Sequence, residues 1–184
     1  AQPQRGHAEA ARIGSALGAE VIQTISRLEA GAARLDTAST TVELSPASHQ
    51  PSEVDWARKI SATYGQTKPA PFLELVKAFR ILDVEALAGR PLVAEVQAMR
   101  LNADTALVTL PGEIFAELGL AIKKSSPFKR TLVIELANGS IGYVPDRKAF
   151  GEGNYEAVSA RCAPGSGEKL VEAALSLLNR IRRK

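Results

Sequence analysis

The chain has 184 residues and a net charge of +3, with 45% of residues hydrophobic and 23% charged. This is an ordinary globular composition, long enough to bury a sizeable core in a single domain, residues 1–184. The positive charge is small and partly concentrated in the terminal RIRRK run, which excludes a basic, aromatic-interleaved nucleic-acid surface. No apolar run is long enough to cross a bilayer and no signal peptide is legible. Cys162 is the only cysteine, so an internal disulfide and a thiolate metal cluster are excluded and the compartment stays open. The absence of an initiator Met points to processing or to a fragment.

In chain order, His7 to Leu28 reads as a helix, because Ile13, Leu17, Val21, Ile25 and Leu28 recur at helical spacing on one face. TTVELSP alternates Val42 and Leu44 with polar neighbours and predicts a short strand. SHQPSEVDWARKISA predicts a helix start, with Ser52 as N-cap and Asp55 in the capping-box position. KPAPF is a loop. FLELVKAFRILDVEALAG predicts a second amphipathic helix closed by Gly89, with a break near Asp83.

Beyond Gly89 the pattern changes. LVAEVQAMRLN places Val93, Val96 and Met99 in an imperfect strand alternation, and TALVTLPG reads as a buried strand. PGEIFAELGLAIKKSSP predicts a helix with Pro111 in its first turn and Ile114, Phe115, Leu118 and Ile122 on its apolar face. RTLVIELANG reads as another buried strand ending in an Asn-Gly turn. SIGYVPD is a brief extended piece, since Pro145 forbids a long central strand. The Gly-rich GEGN and APGSGE segments read as turns, and GEKLVEAALSLLNRI closes the chain as a helix. Alternating strands and helices predict an α/β fold, a layered mixed sheet with packed helices.

Few residues offer chemistry. His7 and His49 are the only histidines, and neither falls in a metal-binding or nucleophile motif. The chain lacks a nucleophile elbow, a Walker loop and a dinucleotide fingerprint. Glu113 follows a buried strand through a Leu-Pro-Gly corner and opens a helix. A carboxylate there either serves a site at the strand ends or favours the helix N-terminus electrostatically. Tyr143 stands at a second strand end, and Tyr155 follows twelve residues later. Phenols in such places ligate metal, donate to an oxyanion, or pack.

Four segments then act together: TLPGEIFAELGLAIKK, VIELANGSIGYVPDRKAF, GNYEAVSA and APGSGEKLVEAALSLL. Their order and spacing resemble the C-terminal part of the catalytic region of the neutral, non-lysosomal ceramidase family, especially its bacterial members. RGHAEAARIGSALGAEVIQTI is similar to the helix that follows the family's nucleophile segment. The resemblance implies a partial catalytic domain of a zinc-dependent amidohydrolase, in which a ceramide-like N-acyl amide is cleaved to an amine and a fatty acid. By position, it implies Glu113 and Tyr143 as zinc ligands and Tyr155 as the catalytic phenol beside the scissile amide. Gly142 would let the backbone approach closely beside the ligand, and Asn138-Gly139 would turn Tyr143 towards the site.

The same resemblance implies that two further histidine ligands and the nucleophilic serine come from a segment outside this chain, since His7 and His49 match neither. It also implies a secreted or periplasmic setting. The family's C-terminal β-sandwich has no counterpart, and IFAELGLAIKK lacks the threonines of eukaryotic members, which opens the substrate to other N-acyl amides. The reading of a different class is a non-catalytic α/β scaffold or partner-binding module.

Overall fold

The computed structural model describes residues 5–183. The chain divides into two units, one reaching to Ala33 and the other running from Arg34 to Lys184. The first unit is essentially one helix, α1 (His7–Ile25). It ends three residues before Leu28, and none of its residues is buried, so the Ile13, Leu17, Val21 and Ile25 stripe is exposed.

The second unit is built on a four-stranded sheet ordered β1-β2-β3-β5, from β1 (Asp36–Leu44), β2 (Leu92–Arg100), β3 (Thr105–Thr109) and β5 (Arg130–Ile134). β1 and β3 pair antiparallel with β2, and β3 pairs parallel with β5, so the sheet is mixed. The parallel pair requires a crossover. That crossover carries the two-residue strand β4 (Glu113–Ile114) and the helix α4 (Ala116–Ser125). The expected α/β class holds.

One face of the sheet is covered by α7 (Ser166–Arg183), which inserts Leu170, Ala174, Leu177, Leu178 and Ile181 against the inward residues of β1 and β2. Each large aliphatic buried this way contributes about 1.5–3 kcal/mol. In β2 the buried set is Leu92, Ala94, Val96, Ala98 and Arg100. The expected alternation on Val93 and Met99 is therefore out of phase, because α7 packs closely on the two alanines and leaves Val93 outward. Arg100 is buried at the far end of this row. Its Nε–H donates to the Asn102 carbonyl at 3.1 Å and its Nη1–H to that of Ile181 at 3.5 Å, where a cation also meets the negative end of α7. β5 is not the buried strand expected: it is an edge strand whose Leu132 and Ile134 lie exposed on the uncovered face.

Between β1 and β2 the chain forms a packed helix pair, α2 (Pro51–Ser61) and α3 (Phe72–Glu85), with its own small core of Val54, Ala57, Ala78 and Ile81. Gln50, not Ser52, caps α2, and its partner is Glu53 rather than Asp55. Pro51 explains the shift, since proline at the first helical position has the right φ and needs no hydrogen-bond partner. The Glu53 carboxylate accepts the Gln50 N–H at 2.9 Å and completes a reciprocal cap. α3 continues through Asp83 without the expected break, and the chain turns through Ala88 and Gly89, both at positive φ.

Two further short helices flank the GEGN segment, whose Gly153 and Asn154 form the expected break in the chain. These are α5 (Arg147–Glu152), capped by the Asp146 carboxylate accepting from Ala149 N–H, and α6 (Tyr155–Ser159). Gly153, at φ 71°, separates them. An isolated antiparallel bridge between Pro46 and Cys162 then ties the end of β1 to the segment after α6.

Candidate active site

The local structure around Glu113 differs from the sequence expectation. Glu113 does not open a helix, and Pro111 is not in a first turn. Instead Glu113 N–H donates to the Gly142 carbonyl at 3.0 Å, and Phe115 N–H to that of Val144 at 3.2 Å. These bonds make β4 a parallel partner of β6 (Tyr143–Val144), with Glu113 directly opposite Tyr143. The backbone amides are thus consumed by strand pairing, and α4 starts only after Phe115.

The pairing needs two glycines for different reasons. A Cβ on Gly112 would lie 2.8 Å from the Gly142 carbonyl oxygen, so only glycine permits the two segments to meet. Gly142 has open space around its α-carbon but sits at φ 83°, so its role is conformational, not the close approach expected for it. The Asn138-Gly139 turn precedes it, both residues at positive φ, with the Asn138 side-chain amide donating to Thr109 Oγ1 at 3.2 Å.

Neighbouring residues on one ladder put the Glu113 carboxylate and the Tyr143 phenol side by side. The Glu113 carboxylate beside it is the main cause of a raised phenol pKa; desolvation and the nearby Tyr155 and Glu156 push the same way. Tyr155, at the first position of α6, meets Tyr143 edge to face, with ring centroids 5.9 Å apart, and stacks on Phe72 of α3 at 6.1 Å.

Glu113, Tyr143 and Tyr155 line one cleft of about 420 Å³. The packing of α6 against α3 closes its other side with Val76, Phe79, Arg80 and Asp83, and Ser159 lies at the end of α6. Sequence reasoning missed Arg80, Asp83, Ser159 and Gly112. An arginine inside the otherwise apolar AFRIL run was the available signal for the first; Ser159 offered none.

Arg80 Nη1–H donates to the Asp83 carboxylate at 2.7 Å, and Arg161 reaches the same oxygen at 3.7 Å. Burial lowers the Arg80 pKa, opposed by the Asp83 charge. Below the site, the Cys162 thiol is buried near the Tyr143 carbonyl at 3.8 Å, and its desolvation raises its pKa.

His49 lines another cavity, of about 490 Å³, and His7 belongs to the first unit. Among the described residues, no group of three or more His, Cys, Asp or Glu side chains is placed to hold a metal. Glu113 and Tyr143 form an adjacent pair of hard oxygen donors, a set that fits part of a divalent-cation shell but does not complete one.

A mixed α/β fold of this kind has a counterpart among solved structures. That counterpart is neutral ceramidase from Pseudomonas aeruginosa, which superposes on 82% of this chain with a TM-score of 0.53 at 17% identity. A structure described as ceramidase complexed with C2 matches 67% of the chain at 19% identity, with a TM-score of 0.45, and 21% of its own length is covered; it adds nothing to the fold assignment. The likeness to the Pseudomonas enzyme is one of fold and agrees with the resemblance carried by the sequence motifs. This chain spans 29% of that protein's length. No protein-family model matches the sequence, and no curated protein does.

Proposed function

We propose that this chain is the part of a zinc-dependent N-acyl amide hydrolase that contributes Glu113, Tyr143 and Tyr155 to the active site. The observation that carries the reading is the convergence of these three residues, distant in sequence, on one cleft. The fold likeness to neutral ceramidase supports it, and a ceramide-like lipid is the substrate this suggests.

Glu113 and Tyr143 would hold the zinc through their oxygens, together with two histidines from outside these residues. When bound, zinc supplies a Lewis acid for the amide carbonyl and lowers the pKa of an oxygen nucleophile. The chain's own residues do the rest. The β4–β6 ladder fixes the two donors side by side. Tyr155 donates its phenolic hydrogen to the oxygen that gains charge as the amide is attacked. Phe72 stacking holds the Tyr155 ring in place. The nucleophilic serine also lies outside these residues, so the chain alone binds zinc weakly and does not turn over.

The test is zinc content by elemental analysis, alongside amide hydrolysis, in a protein carrying the complete site. Glu113→Ala is expected to lose both together. Full zinc and full activity in that variant would overturn the reading, as would hydrolysis at an enzymatic rate by the 184-residue chain alone.

A further inference from the structure

The cleft holds two polar groups that the proposed hydrolysis leaves unused. Arg80 Nε and Ser159 Oγ are both buried, and neither has a hydrogen-bond partner. Ser159 as a whole is only 3% exposed, and both residues line the cleft that contains Glu113, Tyr143 and Tyr155. Buried donors are almost always satisfied, and leaving them unpaired is costly. Two such donors on residues that line one cavity are what a bound acceptor group would complete.

The local charge says which acceptor. Two guanidinium groups, Arg80 and Arg161, share the single Asp83 carboxylate. Arg161 also donates to backbone, with Nε–H to the Ile141 carbonyl at 3.2 Å and an Nη2–H to that of Ser140 at 3.3 Å. The other carboxylate lining the cleft, Glu113, stands opposite Tyr143 on the β4–β6 ladder, and among the described residues no ion pair joins it to either guanidinium. One positive charge near Arg80 is therefore not matched by Asp83. A planar guanidinium with a free N–H beside a hydroxyl suits a carboxylate, which accepts from both. Val76 and Phe79 give the same cleft an apolar wall.

We propose that Arg80 and Ser159 form a carboxylate-binding subsite. Resting on the reading above, this places among the cleft's ligands those that carry a carboxylate, either an acylated amino acid or the fatty acid released from it.

Binding of small probes to the 184-residue chain, followed by NMR chemical-shift titration, tests this without turnover or metal. N-hexanoylglycine is compared with N-hexanoylglycinamide, which differs only in losing the charge, and with hexanoate. The acid is expected to bind about tenfold more tightly than its amide, as hydrogen bonds to a charged group allow. Arg80→Gln should remove that preference, Arg80→Lys should keep part of it, and Ser159→Ala should weaken acid binding severalfold. Hexanoate binding as tightly as the acylglycine assigns the subsite to the released fatty acid; weaker hexanoate binding assigns it to the amino-acid side. Equal binding of acid and amide would overturn the subsite, and so would unchanged acid binding in Ser159→Ala and Arg80→Gln. Should Arg80→Gln fail to fold by circular dichroism, Ser159→Ala with the acid–amide comparison decides. Loss of hydrolysis in the complete protein, with the acid preference intact, would sink the hydrolase reading alone.

Discussion

Gly112 and Gly142 meet so closely that a single methyl group on the first would strike the carbonyl oxygen of the second, at 2.8 Å. That contact aligns the rung on which Glu113 faces Tyr143. Gly112→Ala is therefore expected to destabilise the protein by about 1–3 kcal/mol, the usual cost of overpacking. Gly119, in the interior of α4 with open space around it, is the control: Gly119→Ala should stabilise by roughly 0.5–1 kcal/mol. Urea unfolding of the two variants checks both signs.

The two tyrosines should separate in a protein carrying the complete site. Tyr143→Phe removes the oxygen beside Glu113, so zinc content should fall together with activity. Tyr155→Phe should keep its zinc and lose about a hundredfold to a thousandfold in kcat, the typical loss for one oxyanion donor. If both phenols only pack, both variants would retain full metal and near-normal turnover.

Cys162 provides a pH-dependent prediction. Burial raises its folded-state pKa, so the folded chain holds the thiol proton more tightly than the unfolded chain. The corresponding stability is complete below the ordinary thiol value of about 8.5 and is lost as pH rises through the higher folded value. Wild type should lose more stability than Cys162→Ala between neutral and alkaline pH in parallel urea titrations. For the same reason iodoacetamide at about pH 8 should modify the unfolded chain far faster than the native one.

Arg100 tests the end of the core row. Replacing it with leucine keeps bulk but leaves the Asn102 and Ile181 carbonyls without their donor. A loss of about 1–3 kcal/mol is expected for buried acceptors left unpaired, measured by chemical denaturation.

Legibility in the sequence followed locality. α7 was plain because Leu170, Ala174, Leu177, Leu178 and Ile181 repeat at helical spacing. The inward face of β2 was not, because its most hydrophobic-looking marker, Val93, points outward while alanines and an arginine point in. Composition cannot show that a helix packs closely enough to favour alanine. The turn-rich run after Pro145 hid two short helices, since each is only five or six residues long and begins on an Asp or Asn that also signals turns. Glu113, Tyr143 and Tyr155 were marked as a set only by the family resemblance, and no spacing along the chain announces that a parallel ladder will join the first two. Arg80 and Ser159 come together through α3–α6 packing, which leaves no trace in either helix alone.

The position of the β4–β6 rung also fixes when the site can exist during folding. The α2–α3 pair has its own core and needs only neighbouring segments, so it can form early. The rung joins residues on either side of α4 and β5, and the Pro46–Cys162 bridge closes a still longer stretch of chain. Long-range closures of this kind are slow, because loop entropy is lost before their contacts form. A refolding chain will regain most of its helix signal before it has a cleft, and the carboxylate and phenol will be among the last groups to find each other.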